Sequence, residues 1–147
     1  MRITSWNLLH GMAIPPREKL ENGSESAPLA RAIASLESDV YAFQEVDHFL
    51  PRSQSRPQMQ DIAESIDAKD WAMAPSVIGT PGESWRKLKD SEPEIITGES
   101  SRSELEHECY GIGIVSTIPV VSWHRLNLGN SPLGLPLIVP GDETGKG

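Results

Sequence analysis

The sequence predicts a layered α/β domain, because strand-like and helix-like segments alternate along its first half. Their order is strand, helix, strand, helix, strand, and a pair of strand-like runs follows. The chain has 147 residues, of which 37% are hydrophobic and 23% charged. That length and composition suit a single domain over residues 1–147 with a core of its own.

The first strand is predicted over Ile3–Leu9, where β-branched and aromatic residues alternate with polar ones. A helix is predicted over Ser26–Glu37, since apolar residues recur there at spacings of four and three: Leu29, Ile33 and Leu36. The second strand is predicted over Val40–Gln44 and is expected to end at Glu45. Its apolar run indicates burial on both faces.

A second helix is predicted over Gln58–Ile66, where the apolar residues share one face. Trp71–Ala74 is predicted to form a third strand. Gly111–Ser116 and Val120–Trp123 are both strand-like and are separated by Pro119. We therefore expect a hairpin or a bent pair of strands at this point.

Residues 79–108 have a different composition, rich in Gly, Pro, Ser and Glu, with no regular period. From Glu83 to Glu108 there are eight acidic and four basic residues, so this stretch holds half of the net charge of −8. The composition is typical of a long solvated loop. The alternative is a lid or specificity loop, since long loops in compact domains are often functional. Residues 129–147, rich in Gly and Pro, are expected to form a flexible tail.

The charge balance argues against a general nucleic-acid binder, because 13 basic and 21 acidic residues show no basic stripe. A nucleic-acid substrate is still possible, since a bound dication reverses the local field. Cys109 is the only cysteine, so no internal disulfide can form. The sequence shows no signal peptide and no stretch apolar enough for a membrane span, which predicts a cytoplasmic protein.

Two polar side chains, those of Asn7 and Glu45, stand near the ends of the first two predicted strands. If these strands are parallel neighbours joined through the intervening helix, their ends lie at the same edge of the sheet. A carboxylate and an amide oxygen suit Mg²⁺, which takes one or two carboxylates, several waters and substrate phosphate. The alternatives are a solvated or capping glutamate and an asparagine that serves only the turn.

Three segments resemble, in order and spacing, the signatures of the endonuclease/exonuclease/phosphatase superfamily. They are ITSWNLLHG at 3–11, DVYAFQEVD at 39–47 and YGIGIVSTIPV at 110–120. LPRS at 50–53, followed by a helix with Gln58 and Gln60, resembles the bacterial members. This superfamily includes DNase I-like nucleases, inositol polyphosphate 5-phosphatases and neutral sphingomyelinases.

The resemblance implies a DNase I-like four-layer α/β sandwich, with two packed sheets and helices outside. This chain would form its N-terminal half, about one mixed sheet with two helices. Asn7 and Glu45 match the asparagine of the first motif and the metal-binding glutamate of the second. The implied protein is a Mg²⁺-dependent hydrolase, with Mn²⁺ as a possible substitute, that cleaves a phosphoester by in-line attack of water. The substrate class stays open, because the fold does not choose among phosphoesters.

Three residues near this pair are further candidates. His10 lies three residues after Asn7 and could face the substrate, although a loop histidine is often only a surface group. Asp47 could support Glu45 or bind a second metal, or it could be a solvated turn residue. Arg52 could contact phosphate, since guanidinium suits that geometry, or it could form a surface ion pair.

Two later motifs of the superfamily, GDxN-like and SDH-like, are absent from the sequence. GDET at 141–144 begins like the first of them but lacks its asparagine, and we reject it. The general base and the transition-state histidine therefore have no counterpart in these 147 residues. Either the chain supplies part of a hydrolase active site, or it is a truncated or degenerate member that acts as a non-catalytic binding module. Half of the sandwich alone is expected to expose an apolar sheet face, which predicts that the isolated chain self-associates or is marginally stable.

Overall fold

The computed structural model describes residues 1–12, 26–100 and 102–129. Within them, six strands form one open sheet: β1 (Ile3–Asn7), β2 (Val40–His48), β3 (Asp70–Gly79), β4 (Trp85–Arg86), β5 (Ile96–Thr97) and β6 (Cys109–Ser116). The helices are α1 (Ser26–Ala34), α2 (Gln58–Ser65) and α3 (Arg102–Leu105). Short 3-10 turns cover Leu9–Gly11 and Pro51–Ser53. The fold is therefore of the α+β class.

The sheet is mixed, with the strand order β1-β2-β6-β3-β4, and β5 also pairs with β3. β1 and β2 are parallel, from Ile3 opposite Val40 to Asn7 opposite Gln44. β6 lies between β2 and β3 and is antiparallel to both. The parallel pair is what the sequence predicted for the strands that carry Asn7 and Glu45, with a helix in the connection.

One face of the sheet packs against α1 and α2 and forms the core. The buried apolar side chains of this core come from the strands, from α1 and α2, and from the turn after β1: Leu8, Ile33, Tyr41, Phe43, Val46, Met59, Ile62, Met73 and Val115. α2 lies directly over β6, since a Cβ at Gly113 would overlap the side chain of Met59. Glycine at position 113 thus allows the helix to approach the sheet closely.

The opposite face of the sheet has little cover from the residues that the structure describes. Ile112 and Ile114 of β6 and Ile3 of β1 are exposed there, although large apolar side chains usually favour burial. Residues 123–128 line a cleft together with Ile112 and Ile114, so the chain after β6 shields part of this face. The exposed isoleucines form an apolar surface. Self-association through this surface remains a prediction.

The structure corrects two expectations about strands. β2 does not end at Glu45 but continues through Asp47 to His48, because pairing with β6 resumes beyond an irregularity. The predicted hairpin is wrong, since Val120–Trp123 is not a strand and β6 pairs with β2 and β3 instead. After β6 the backbone is held by isolated bonds, and the Val120 N–H donates to the carboxylate of Asp70 at 2.8 Å.

The segment 79–108 is less irregular than its composition suggests. It contains β4, β5 and α3, and Ile96 of β5 is fully buried in the core. Of the tail predicted over 129–147, only Gly129 is among the described residues, and GDET at 141–144 lies outside them. No helix in the described ranges is long and apolar enough to cross a membrane.

Candidate functional site

A β-bulge in β2 determines where the Glu45 side chain points. The pairing of β2 with β6 shifts between Phe43 and Val46, so that an extra residue is inserted into β2. Tyr41 and Phe43 are buried, and strict alternation would place Glu45 in the core beside them. The bulge instead buries Val46 completely and leaves Glu45 half-buried. It therefore moves a carboxylate from the core to the edge of the sheet.

Asn7 contacts Glu45 directly at this edge. The side-chain Nδ2 of Asn7 donates a hydrogen bond to Glu45 Oε1 at 2.8 Å, and Asn7 Oδ1 accepts the Leu9 N–H at 2.9 Å. These partners determine the orientation of the amide, because a carboxylate requires a donor and an N–H requires an acceptor. Asn7 thus orients Glu45, and no hydrogen bond to Glu45 Oε2 is found among the described residues.

Asp47 and Arg52 form a two-bond ion pair beside Glu45. Arg52 Nε donates to Asp47 Oδ2 at 2.8 Å and Arg52 Nη2 donates to Oδ1 at 2.7 Å. Asp47 is fully buried, whereas the Arg52 side chain is 23% exposed. The hydrogen bonds to Asp47 raise the pKa of Arg52, so its positive charge persists at any physiological pH.

Tyr110, the first residue of the third motif, lies in the same neighbourhood. The guanidinium carbon of Arg52 is 5.5 Å from the centre of the Tyr110 ring, within the range of a cation–π contact. Burial raises the pKa of Tyr110, and the negative charge of Glu45 raises it further. The phenol therefore stays protonated and can donate a hydrogen bond near the Glu45 carboxylate.

The turn after β1 brings His10 to the same edge. Burial and the positive charge of Arg52 lower the pKa of His10, while Asp47 and Glu45 act in the opposite direction. His10 is thus within electrostatic range of all three charged groups and is neutral at pH 7. Its backbone carbonyl accepts a hydrogen bond from Gln58 Nε2 at 2.8 Å, and Gln58 Oε1 accepts the Asp47 N–H at 2.8 Å.

Several residues at this edge have a strained backbone. Leu9, His10 and Glu45 have φ values of 47°, 46° and 56°, in the left-handed region that non-glycine residues rarely adopt. Each such conformation costs of the order of 1–3 kcal/mol and persists only where the surrounding contacts determine it. Strain of this kind is concentrated at functional sites in many proteins. Here it occurs at Glu45 and in the turn after Asn7, and five further non-glycine residues in the described ranges share it.

The structure brings together all five residues predicted from the sequence: Asn7, His10, Glu45, Asp47 and Arg52. Asp47 is not the solvated turn residue that was considered as an alternative, since it is fully buried within β2. Tyr110 was not predicted as a site residue, although it is the first residue of the motif at 110–120. Gln58 was named in the helix after LPRS, but no function was predicted for it. Cys109 is buried, which raises the pKa of its thiol to about 12 and argues against a nucleophile.

A divalent metal would find one suitable carboxylate here. Within residues 1–12, 26–100 and 102–129, no three His, Cys, Asp or Glu side chains form a group that could hold a metal. Mg²⁺ requires less protein, because it keeps several waters and binds through one or two carboxylates. Glu45 offers Oε2, and Asn7 Oδ1 retains one lone pair. Asp47 is less suited, because Arg52 occupies both of its oxygens.

Comparisons of this chain with protein-family models, with curated proteins and with solved structures found no match. Interpretation of the site therefore depends on its own geometry and on the resemblance of the three motifs.

Proposed function

We propose that this chain supplies part of the active site of a Mg²⁺-dependent phosphoester hydrolase with a DNase I-like fold. The observation that carries the proposal is the placement of Glu45, which a bulge turns out of the core and Asn7 orients at the edge of the sheet. A solvated or capping glutamate would need neither the bulge nor the partner.

The architecture supports the same proposal. The helices cover one face of a single mixed sheet, and the other face exposes Ile3, Ile112 and Ile114. Half of a two-sheet sandwich would also have one covered and one exposed apolar face, because the second sheet packs against the inner face in the complete sandwich. In the proposed fold, the second sheet carries the GDxN-like and SDH-like motifs.

The chemistry of the neighbouring side chains fits a phosphoester. Glu45, with Asn7 beside it, would hold the metal, which when bound polarises a phosphoryl oxygen and offsets negative charge. Arg52, fixed by Asp47, places a permanent positive charge near the position of the substrate. Neutral His10 and protonated Tyr110 can donate hydrogen bonds to phosphate oxygens. In this proposal each of these groups binds or orients the substrate.

The second candidate is a non-catalytic binding module of the same family. It is favoured by one observation, which is that both oxygens of the neighbouring carboxylate, Asp47, are already paired with Arg52. Such a module would keep metal and phosphate affinity but would not cleave.

Metal binding by purified protein tests the shared part of both candidates. We expect Mn²⁺, measured by electron paramagnetic resonance, to bind the wild-type chain and Mg²⁺ to displace it. Glu45→Gln should weaken binding by at least about tenfold, and Asn7→Ala by about tenfold through loss of orientation. Glu99→Gln, which changes an exposed glutamate elsewhere, is the matched control. Equal Mn²⁺ affinity in Glu45→Gln and Glu99→Gln would refute the proposal.

Cleavage then separates the two candidates. The assay uses bis(p-nitrophenyl) phosphate with Mg²⁺, and Glu45→Gln as the background. Glu45-dependent release of p-nitrophenol identifies a hydrolase. Metal binding without cleavage, even when a polypeptide with GDxN-like and SDH-like motifs is added, identifies the binding module.

A further inference from the structure

The Gln58 side chain connects the two segments that carry the proposed metal pair. Gln58 is the first residue of α2, and its amide makes one bond in each direction. Its Nε2 donates to the His10 carbonyl at 2.8 Å and its Oε1 accepts the Asp47 N–H at 2.8 Å. The orientation is unambiguous, since a carbonyl requires a donor and an N–H requires an acceptor. We call these two hydrogen bonds the Gln58 bridge.

The bridge lies where the backbone ladder between β1 and β2 has ended. The paired register stops at Asn7 opposite Gln44, and the last backbone bond runs from the Leu8 N–H to the Gln44 carbonyl at 2.9 Å. Beyond that point the chain turns after β1, and β2 passes through its bulge. The Gln58 bridge therefore connects the two segments by side-chain hydrogen bonds where the backbone hydrogen bonds between β1 and β2 have ended. This is the place where Asn7 and Glu45 lie.

The turn is shaped to admit this side chain. Gly11 has φ +89°, and a Cβ there would lie 3.1 Å from Gln58 Nε2. A larger residue would be both strained and crowded against the amide. The turn at Leu9–Gly11, which also donates the Leu9 N–H to Asn7, thus depends on Gln58 for its position.

We propose that Gln58 is a positioning residue that holds Glu45 and Asn7 together for a divalent metal. The inference rests on the proposed function, because it assumes that the pair binds a metal. Gln58 itself does not touch the metal. It fixes the turn that orients Asn7 and the backbone of β2 two residues beyond Glu45. Without it, we expect Asn7 to move away and Glu45 to bind the ion with fewer protein contacts.

The test compares two glutamines of the same helix. Gln58→Met removes both bonds and keeps the length of the side chain, whereas Gln60→Met removes only an exposed bond to Glu64. We expect the dissociation constant for Mn²⁺ to rise by about tenfold in Gln58→Met and to stay at the wild-type value in Gln60→Met. Gly11→Ala, which displaces the amide without changing Gln58, should act in the same direction and provides the test if Gln58→Met does not fold.

A second readout separates positioning from general destabilisation. Water-proton relaxation by bound Mn²⁺ reports how many waters remain on the ion. We expect it to increase per bound ion in Gln58→Met, because a lost protein contact is replaced by water, and to be unchanged in Gln60→Met. Loss of thermal stability alone would not change this quantity.

The outcomes distinguish the two proposals. If Gln58→Met and Gly11→Ala both match wild type in Mn²⁺ affinity and relaxation, while Glu45→Gln does not bind, the positioning role is overturned and the proposed function stands. If the wild-type chain shows no Glu45-dependent Mn²⁺ binding, both are overturned.

Discussion

The two halves of β2, on either side of the bulge, are built in different ways. From Val40 to Phe43 the strand alternates, with Tyr41 and Phe43 buried and their neighbours partly exposed. From Val46 to His48 three consecutive residues are fully buried, two of them polar. The first half is stabilised by apolar packing, which is insensitive to orientation. The second half depends on particular contacts, because the Asp47 carboxylate is paired with Arg52 and His48 Nε2 donates to the Leu105 carbonyl.

The largest expected effect is loss of the partner of Asp47. Arg52→Met leaves a fully buried carboxylate without its ion pair, and we expect the free energy of unfolding to fall by about 3–5 kcal/mol. Arg56→Met is a closely matched control, since Arg56 makes the same two bonds to Asp61 with the same distances but is 61% exposed. It should cost less than about 1 kcal/mol. Chemical denaturation measures the free energy of unfolding of both variants. Equal losses would show that burial of Asp47 does not increase the cost of removing its partner.

The next effect compares two glycines of β6 that lie opposite the two halves. Gly111→Ala places a Cβ against the backbone carbonyl of Ala74, whereas Gly113→Ala places one against the Met59 side chain. A methionine can change its rotamer and a backbone carbonyl cannot move without disturbing β3. We expect about 1–3 kcal/mol of destabilisation for Gly113→Ala and more for Gly111→Ala, measured by denaturant unfolding. The reverse order would indicate that the β3 backbone beside Gly111 moves more readily than the Met59 side chain.

A smaller effect concerns the backbone at the bulge itself. Glu45 has φ 56°, so Glu45→Gly should be more stable than Glu45→Ala by about 1 kcal/mol. At the neighbouring Gln44, which does not have a positive φ, the order should reverse, because glycine weakens a strand. Melting temperatures of the four variants test this. If alanine is preferred at both positions, the bulge is not strained.

The smallest effect appears only in acid and concerns His48. Its Nε2 donates to the Leu105 carbonyl at 2.6 Å, and its buried Nδ1 has no hydrogen-bond partner in the described part of the chain. Burial lowers the pKa of His48 below the ordinary value of 6.5, since protonation would place an unpaired N–H in the core. The unfolded chain then binds the proton more readily, so the free energy of unfolding falls as the pH drops below about 6.5.

His48→Gln, which can still donate to Leu105, should flatten this pH dependence when unfolding is measured between pH 7 and 5. His10→Gln is the comparison, because the pKa of the half-buried His10 is also lowered. A profile unchanged by His48→Gln but flattened by His10→Gln would place the sensitivity in the turn instead of β2.

The regular half of β2 could be predicted from the sequence and the other half could not. The apolar run over Val40–Gln44 predicts a buried strand, and the intervening helix predicts that β1 and β2 are parallel. Those two facts were enough to place Asn7 beside Glu45. The bulge was not foreseen, because it has no glycine to mark it, and so β2 was expected to end where it only changes direction.

Long-range pairing explains the other errors. Val120–Trp123 is β-branched and aromatic, but β6 is already paired on both sides by β2 and β3, and the described structure offers it no partner. The sequence predicted separate roles for Asp47 and Arg52 and not their ion pair, because it does not show which side chains are buried or close together. Tyr110 was not predicted for the same reason, since only the structure shows that its ring contacts Arg52.

The left-handed backbone of Glu45 has a consequence for protein engineering. A procedure that ranks amino acids by their fit to this backbone would favour glycine at position 45 and so remove the carboxylate. The same procedure would leave Tyr41, Phe43 and Val46 almost unchanged. At the bulge, a stability-optimised sequence would therefore differ from the natural one at the residue that the proposed metal site requires.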